Sequence, residues 1–323
     1  AHDSREPMFL YVAHYAPHLP LQAPAKYVKK CMDRYKVGYD VLRKQRFEKQ
    51  KQLGLVPDTM ELPIFHKEFG GKRPAWEELT PAQQAQWTKD MATYAAMIEI
   101  MDEGIGQLVD EIKKKDMYEN TVFIFLSDNG ATNEGGFIGQ LMSDLSNTPY
   151  RSYKKWVFQG GTSTPFILTF GDKKKNQMKG KVCHQPAHII DILPTCMALG
   201  HTDYPKSFSH ADLPGTNLLP ATTEKPLTDR TLFFEHQSSC AIIKGSWKLV
   251  RADRNSQWEL IDLSTDPFET HDLSSKYPEK VEEMEAQWID WANTHKVFPL
   301  ENKTWTERIN FYQQKNPYQK GDR

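Results

Sequence analysis

Residues 121–130 read TVFIFLSDNG, an apolar run that stops at a polar turn. The run from Thr121 to Leu126 predicts a strand buried on both faces of a sheet, and the following Ser-Asp-Asn-Gly predicts its end. Asp128 and Asn129 would then stand at the carboxyl end of the strand, where open α/β sheets bind ligands. Their oxygen atoms suit Ca²⁺ or Mg²⁺. A plain turn is the alternative, and local sequence alone favours it.

Helical and strand patterns alternate on both sides of this run. The surrounding predicted elements are a buried strand at Met8 to Ala13, helical structure from Tyr27 to Leu53, a long helix from Pro81 to about Lys115, a long polar loop from Ala131 to Gly161, a strand at Pro165 to Phe170 and a short helix from His188 to Leu199. This alternation predicts an α/β fold with a layered mixed sheet flanked by helices.

The pattern changes after a Pro- and Thr-rich stretch at residues 201–228. Short strands are predicted at Leu232 to Glu235, Ala241 to Lys244, Trp247 to Val250 and Trp258 to Asp262. Gly245-Ser246 predicts a hairpin turn, and residues from Pro278 to Thr294 predict a helix with one apolar face. We therefore expect one α/β domain over residues 1–228 and a small C-terminal α+β subdomain over residues 229–323, built on a four-stranded antiparallel sheet.

Composition argues against several classes of function. The 323 residues include 41 Lys and Arg against 42 Asp and Glu, and the formal net charge of -1 offers no field to draw the chain to nucleic acid or an anionic membrane. No apolar run approaches the roughly 20 residues of a membrane-spanning helix. The four cysteines form no C-x-x-C pair, so neither a zinc ribbon nor a dithiol redox site is predicted.

Two further residues could contact an anion. His18, in the loop sequence YAPHLP after the first predicted strand, could bond to a substrate oxygen or act as an acid at a leaving group. Lys154 stands six residues before Gly160-Gly161 and could reach a pocket as a compact cation. The alternatives are a surface loop histidine and a solvated basic turn.

The order of these motifs resembles the type I sulfatases of the alkaline phosphatase superfamily, and most closely their bacterial arylsulfatase-like members, over about residues 8–295. The matching segments are Met8 to Pro24, Met91 to Gly106, Asn120 to Gly130 (NTVFIFLSDNG), Ser146 to Pro165 (SNTPYRSYKKWVFQGGTSTP), His188 to Thr195 and Trp247 to Thr270. The resemblance implies that residues 1–228 are the later part of a sulfatase catalytic domain. It also implies a sulfuric-ester hydrolase that acts on an aryl or carbohydrate sulfate.

The resemblance implies roles for individual residues. Asp128 and Asn129 would be two ligands of a divalent cation, usually Ca²⁺, with Mg²⁺ as the alternative. His18 and Lys154 would contact the sulfate or its bridging oxygen. His236, at the end of the first C-terminal strand, would face the substrate, although ordinary edge-strand polarity also explains it. A periplasmic or secreted location is implied on the same grounds.

The chain also departs from the family pattern. The family's nucleophile is a Cys or Ser in a C/S-x-P-x-R motif, converted to formylglycine, and no such motif occurs here. We therefore expect the formylglycine in an N-terminal part of the same protein, on a longer or a separate chain. Gln159 stands where the family commonly has Glu. Two alternatives stay open: a catalytically silent, anion-binding fragment, and a related phosphodiester or phosphonate hydrolase.

Overall fold

The computed structural model describes residues 7–64, 73–172, 178, 180–204, 214–300, 307 and 310, so part of the predicted 201–228 linker lies outside the described residues. The described residues form two compact units. The first unit draws on Ala1–Asn129, Asn133–Thr148 and Thr164–Asp229. The second draws on Gly130–Thr132, Pro149–Ser163 and Arg230–Arg323, so two short segments from the first half of the chain belong with the C-terminal residues.

Helices form the core of the first unit. They include α1 (Ala25–Tyr35), α2 (Tyr39–Gln52) and α3 (Pro81–Lys114), and these confirm the helical predictions for the region. Gly38 separates α1 from α2 with a φ of 83°, a backbone angle that favours glycine. The fully buried Trp87 lies at the centre of this core. It meets three aromatic rings edge-on, those of Tyr35, Tyr39 and Trp76.

The sheet of the first unit consists of β1 (Val122–Leu126) and β2 (Phe166–Phe170), which pair antiparallel. Both predicted strands exist, and the mixed α/β class is confirmed. The prediction that β1 is fully buried is wrong, since Phe125 is exposed and its other residues are only half-buried. The physical reason is that a sheet buries its side chains only where other elements pack on its faces, and the two-stranded sheet leaves both Phe125 and Ile167 exposed.

Two sequence predictions for the first unit need correction. Residues 8–13 form no strand and are exposed, because no described strand pairs with them; an apolar run can become a strand only where a partner supplies hydrogen bonds. The predicted loop from Ala131 to Gly161 contains helix α4 (Gly136–Ser146) and the short α5 (Gln159–Thr162). Helix α4 buries Leu141 and Leu145, which stand one helical turn apart.

The rest of the first unit follows the prediction. Residues from His188 to Leu199 form a single 3-10 turn, Ile189–Asp191, followed by α6 (Ile192–Leu199). The Asp191 carboxylate is fully buried and accepts hydrogen bonds from the main-chain N–H groups of His188 (2.7 Å) and Thr216 (2.9 Å). Asp191 therefore has a structural role in fixing the start of this turn.

The described C-terminal residues of the second unit form a four-stranded antiparallel sheet with a helix packed on it. Its elements are β3 (Thr231–His236), β4 (Ser239–Lys244), β5 (Trp247–Arg251), β6 (Glu259–Asp262) and α7 (Pro278–Thr294). The strands are ordered β3-β4-β5-β6, and the predicted hairpin joins β4 to β5. Met284, Trp288 and Ala292 of α7 pack on the buried side chains of the sheet. The predicted strands, hairpin and apolar helix face are thus confirmed.

None of the described helices combines the length and the apolar character needed to cross a membrane. The four cysteines are separate thiols: Cys31 and Cys240 are buried, Cys196 is half-buried and Cys183 is exposed.

Candidate active site

The turn after β1 is fixed to the beginning of β2. The Ser127 N–H donates to the Pro165 carbonyl (3.1 Å), and the Thr164 hydroxyl donates to the Ser127 carbonyl (2.8 Å). Within the turn, the Ser127 hydroxyl donates to the carbonyl of Asn129 (2.8 Å). The Asp128 side chain is exposed, and that of Asn129 is half-buried. The two predicted metal ligands therefore stand on a well-anchored turn.

These two residues do not make a complete metal site. In the part of the chain that the structure describes, no group of three or more His, Cys, Asp or Glu side chains could hold a metal ion. A protein-bound Ca²⁺ takes roughly 6 to 8 oxygen ligands. Asp128 and Asn129 are suitable oxygen donors, but they supply only a fraction of that number. The described residues by themselves therefore do not fit a complete calcium site.

His18 lies in the loop that follows residues 8–13. Its main-chain N–H donates to the Tyr15 carbonyl (3.1 Å), and its Nδ1–H donates to the Leu19 carbonyl (3.0 Å). This second bond sets the tautomer, because a carbonyl can only accept. The other ring nitrogen, Nε2, is 3.8 Å from the carboxylate of Glu134. No local sequence pattern points to Glu134, beyond its place five residues after Asn129.

We call Pro149–Ser163 the Lys154 segment. In the second unit, a main-chain hydrogen bond joins its beginning to its end. The N–H of Gly160 donates to the carbonyl of Arg151 (2.7 Å). A Cβ atom at Gly160 would collide with the carbonyls of Arg151 and Ser152, so no larger residue fits. The glycine pair seen in the sequence therefore lets the two ends of the segment meet backbone to backbone.

Main-chain hydrogen bonds to Gly130 and Ala131 also hold the Lys154 segment. The N–H of Lys154 donates to the Ala131 carbonyl (2.9 Å), and the N–H of Gly130 donates to the Gly161 carbonyl (3.0 Å). A Cβ atom at Gly130 would collide with the carbonyl of Gly160. The segment is thus held by main-chain bonds on both sides of Lys154, while the Lys154 side chain is half-buried.

His236 lies beside this segment. The exposed imidazole stands at the end of β3, and its Nδ1–H donates to the Lys155 carbonyl (2.8 Å). The structure therefore brings His236 to the residue that follows Lys154. The three other predicted site residues belong to the first unit, and their convergence with Lys154 on one anion stays a prediction.

Comparison with known proteins identifies the family of this chain. The model of the protein family described as Sulfatase matches residues 1–202. The chain belongs to the sulfatase family. The resemblance to type I sulfatases is thereby confirmed. One similar protein is the uncharacterized sulfatase PB10D8.02c of Schizosaccharomyces pombe, 30% identical over 89% of this chain and 58% of that protein.

A second relative supports the same family, and a solved structure supports the fold. The arylsulfatase of Klebsiella aerogenes is 32% identical over 65% of this chain and 49% of its own length. Among solved structures, the crystal structure of Ps i-CgsB superposes with a TM-score of 0.61 at 23% identity, covering 96% of this chain and 55% of that one. The similarity establishes the alkaline phosphatase-like fold. The chain spans about half the length of these relatives.

Proposed function

We propose that this sulfatase-family chain contributes to the hydrolysis of sulfuric esters, with an aryl or carbohydrate sulfate as substrate. The Lys154 segment is the main structural support, because main-chain bonds hold the segment on both sides of the lysine. In the hydrolysis of a sulfate monoester, negative charge grows on the leaving oxygen. An ammonium group that is already in place stabilises that charge without having to reorganise.

His18 is proposed to act on the bridging oxygen. Since Nδ1–H donates to the Leu19 carbonyl, we assign proton transfer to Nε2. The protonated ring would meet an opposite charge at the nearby Glu134 carboxylate. His236 is proposed to contact the alcohol part of the substrate, because it is exposed and bonded to the main chain next to Lys154.

Asp128 and Asn129 are proposed as two of the ligands of a divalent cation, Ca²⁺ or else Mg²⁺, which would supply positive charge near the sulfate when bound. Because the described residues provide too few ligands, we expect the chain alone to bind Ca²⁺ weakly. Titration calorimetry that detects tight, stoichiometric binding would contradict this expectation.

The nucleophile is proposed to come from the N-terminal part of the same protein, on a longer or separate chain. Two observations support such a partner. No C/S-x-P-x-R motif occurs in the 323 residues. In addition, the first unit exposes a run of large apolar side chains, namely Met8, Phe9, Leu10, Tyr11 and Val12. Exposed apolar surface of this kind is typical of a binding interface.

The test uses the complete protein, matured to formylglycine and assayed with calcium on aryl and sugar sulfates. We expect Lys154→Ala to lower kcat/KM by about 10²- to 10³-fold, the usual loss when one group that stabilises transition-state charge is removed. Lys155→Ala is the matched control, because the neighbouring side chain is exposed and should leave kcat/KM unchanged.

Three results would argue against the proposal. Equal losses in the two variants would remove the special role of Lys154. Absence of sulfate release from every ester would leave a silent, anion-binding protein. Turnover of phosphate or phosphonate esters without sulfate release would establish the related hydrolase instead.

A further inference from the structure

A pair of opposite charges is buried inside the second unit. The Nζ atom of Lys248, on β5, lies 2.7 Å from the Oε1 atom of Glu269, in the loop between β6 and α7, and both side chains are 0% exposed. Burial lowers the pKa of Lys248 and raises that of Glu269, because desolvation opposes both charges. Apolar residues of similar size would often stabilise a core as well as such a pair does.

Both charged groups contact Gln159, the first residue of α5. The other carboxylate oxygen of Glu269, Oε2, accepts a hydrogen bond from the Gln159 main-chain N–H (2.7 Å). The Lys248 ammonium donates to the side-chain oxygen of Gln159 (3.2 Å). The buried pair therefore holds the C-terminal part of the Lys154 segment, directly before the glycine pair.

A second ion pair holds the N-terminal part of the segment. The Arg151 guanidinium donates to both carboxylate oxygens of Glu259 (2.6 and 3.1 Å) and to the carbonyl of Glu269 (3.3 Å). This fork geometry fixes the orientation of an arginine better than a single bond does. Lys154 thus lies between two anchored residues, Arg151 and Gln159.

We propose that Lys248 and Glu269, together with Arg151, are positioning residues for Lys154. Their buried charges hold the two ends of the Lys154 segment and so keep its ammonium group in one place. The part that concerns catalysis rests on the proposed function, but the positioning can be measured without turnover.

The neutral side chain of Gln159 is compatible with the buried ion pair that it contacts. Beside Gln159, one buried ammonium meets one buried carboxylate, and their charges balance. A glutamate at position 159 would bring a second carboxylate to the same lysine. Burying an unbalanced charge is costly, so the neutral amide matches the two charges already present.

The first test is hydrogen exchange followed by mass spectrometry on this chain carrying both Lys248→Met and Glu269→Leu. Removing both charges avoids leaving one of them unpaired, so we expect the second unit to stay folded. Exchange in the Lys154 segment should become about tenfold faster, because its bond from Gln159 to Glu269 is lost. Exchange in β4 and β5 should stay unchanged.

Lys244→Met is the matched control. Lys244 also forms an ion pair, at 2.8 Å from Glu283, but the two side chains are 47% and 53% exposed. This variant should not alter exchange in the Lys154 segment. If the double variant fails to fold, Gln159→Glu replaces it, and here too faster exchange confined to the segment is expected. Unchanged exchange in the segment of a folded test variant would overturn the proposal.

The second test is activity of the complete protein with the double substitution. We expect kcat to fall by about tenfold to a hundredfold with little change in KM, because small displacements of a catalytic group act on the transition state. An unchanged kcat would overturn the positioning role. If the unsubstituted protein hydrolyses no sulfate ester, the proposed function fails, while the exchange measurement still decides whether the segment is positioned.

Discussion

The four-stranded sheet of the second unit is covered, whereas the two-stranded sheet of the first unit leaves apolar side chains exposed. Ile242 and Leu249 of the larger sheet are fully buried under α7, but Ile167 of the smaller one is 54% exposed. The strands have similar lengths and similar residues. A strand therefore contributes side chains to a hydrophobic core only where another layer packs on its face. The hydrophobic core of the first unit comes instead from its helices around Trp87.

Replacing the buried tryptophan of α7, the helix that covers the larger sheet, should have the largest effect. Trp288 is fully buried, packs edge-on against Trp258, and donates its indole N–H to the Phe234 carbonyl (3.1 Å). We expect Trp288→Ala to lower the free energy of unfolding of the second unit by about 3–5 kcal/mol. Urea unfolding followed by circular dichroism measures it. Trp291→Ala, at a half-buried neighbour, should cost less, and an equal loss would show that the core is not centred on Trp288.

A matched pair of substitutions tests the difference between the sheets directly. Leu249→Ala removes a fully buried side chain from β5 and should cost about 2–5 kcal/mol. Ile167→Ala removes a mostly exposed side chain from β2 and should cost less than about 1 kcal/mol. Urea unfolding of both variants is the measurement. Comparable losses would mean that the smaller sheet is covered in solution, which would contradict the comparison.

The covered unit is also the one whose structure the sequence predicts best. The hairpin at Gly245-Ser246, the four strands and helix α7 each have a local signal, and neighbouring strands pair in sequence order. In the first unit, the run at residues 8–13 has the apolar pattern of a strand but no described partner. Helix α4 has no clear helical signal in the sequence, because its glycines and polar residues resemble a loop. Pairing and burial are properties of distant residues, so local patterns cannot supply them.

The candidate site shows the same limit. The turn at Asp128 and the glycine pair were visible in the sequence, because turns and glycines have local signatures. The anchors of the Lys154 segment were not visible, since Gln159 bonds to residues 89 and 110 positions away. In the sequence alone, Lys248 is an ordinary lysine of a predicted strand, and Glu269 is an ordinary glutamate between that sheet and the last predicted helix. Their burial identifies them, and burial is a property of the folded chain.

A smaller effect is expected at the start of α3, which tests the helical basis of the first unit. The Thr80 hydroxyl accepts a hydrogen bond from the Gln83 N–H (3.3 Å), and the Gln83 side chain accepts one from the Thr80 N–H (2.9 Å). Thr80→Ala should lower the free energy of unfolding of the first unit by about 1 kcal/mol and leave that of the second unit unchanged. Segment-resolved hydrogen exchange measures this, with Thr80→Ser as the control that keeps the cap. An equal effect in both units would contradict an effect confined to the helices of the first unit.

The cysteines provide the mildest test of the comparison, because labelling them need not perturb the fold. Cys240 is fully buried in the covered sheet, and burial raises its pKa to about 11, whereas Cys183 in the first unit is exposed. Since the thiolate is the reactive form, iodoacetamide at pH 8 should label Cys183 first and Cys240 only after unfolding. Peptide mass spectrometry gives the order, and early labelling of Cys240 in the native protein would show that the covered sheet opens.

Because the folded pKa of Cys240 exceeds the ordinary value of 9.0, its thiol favours folding below pH 9. That contribution should be lost as pH rises from 9 towards 11, and it should be absent in Cys240→Ala.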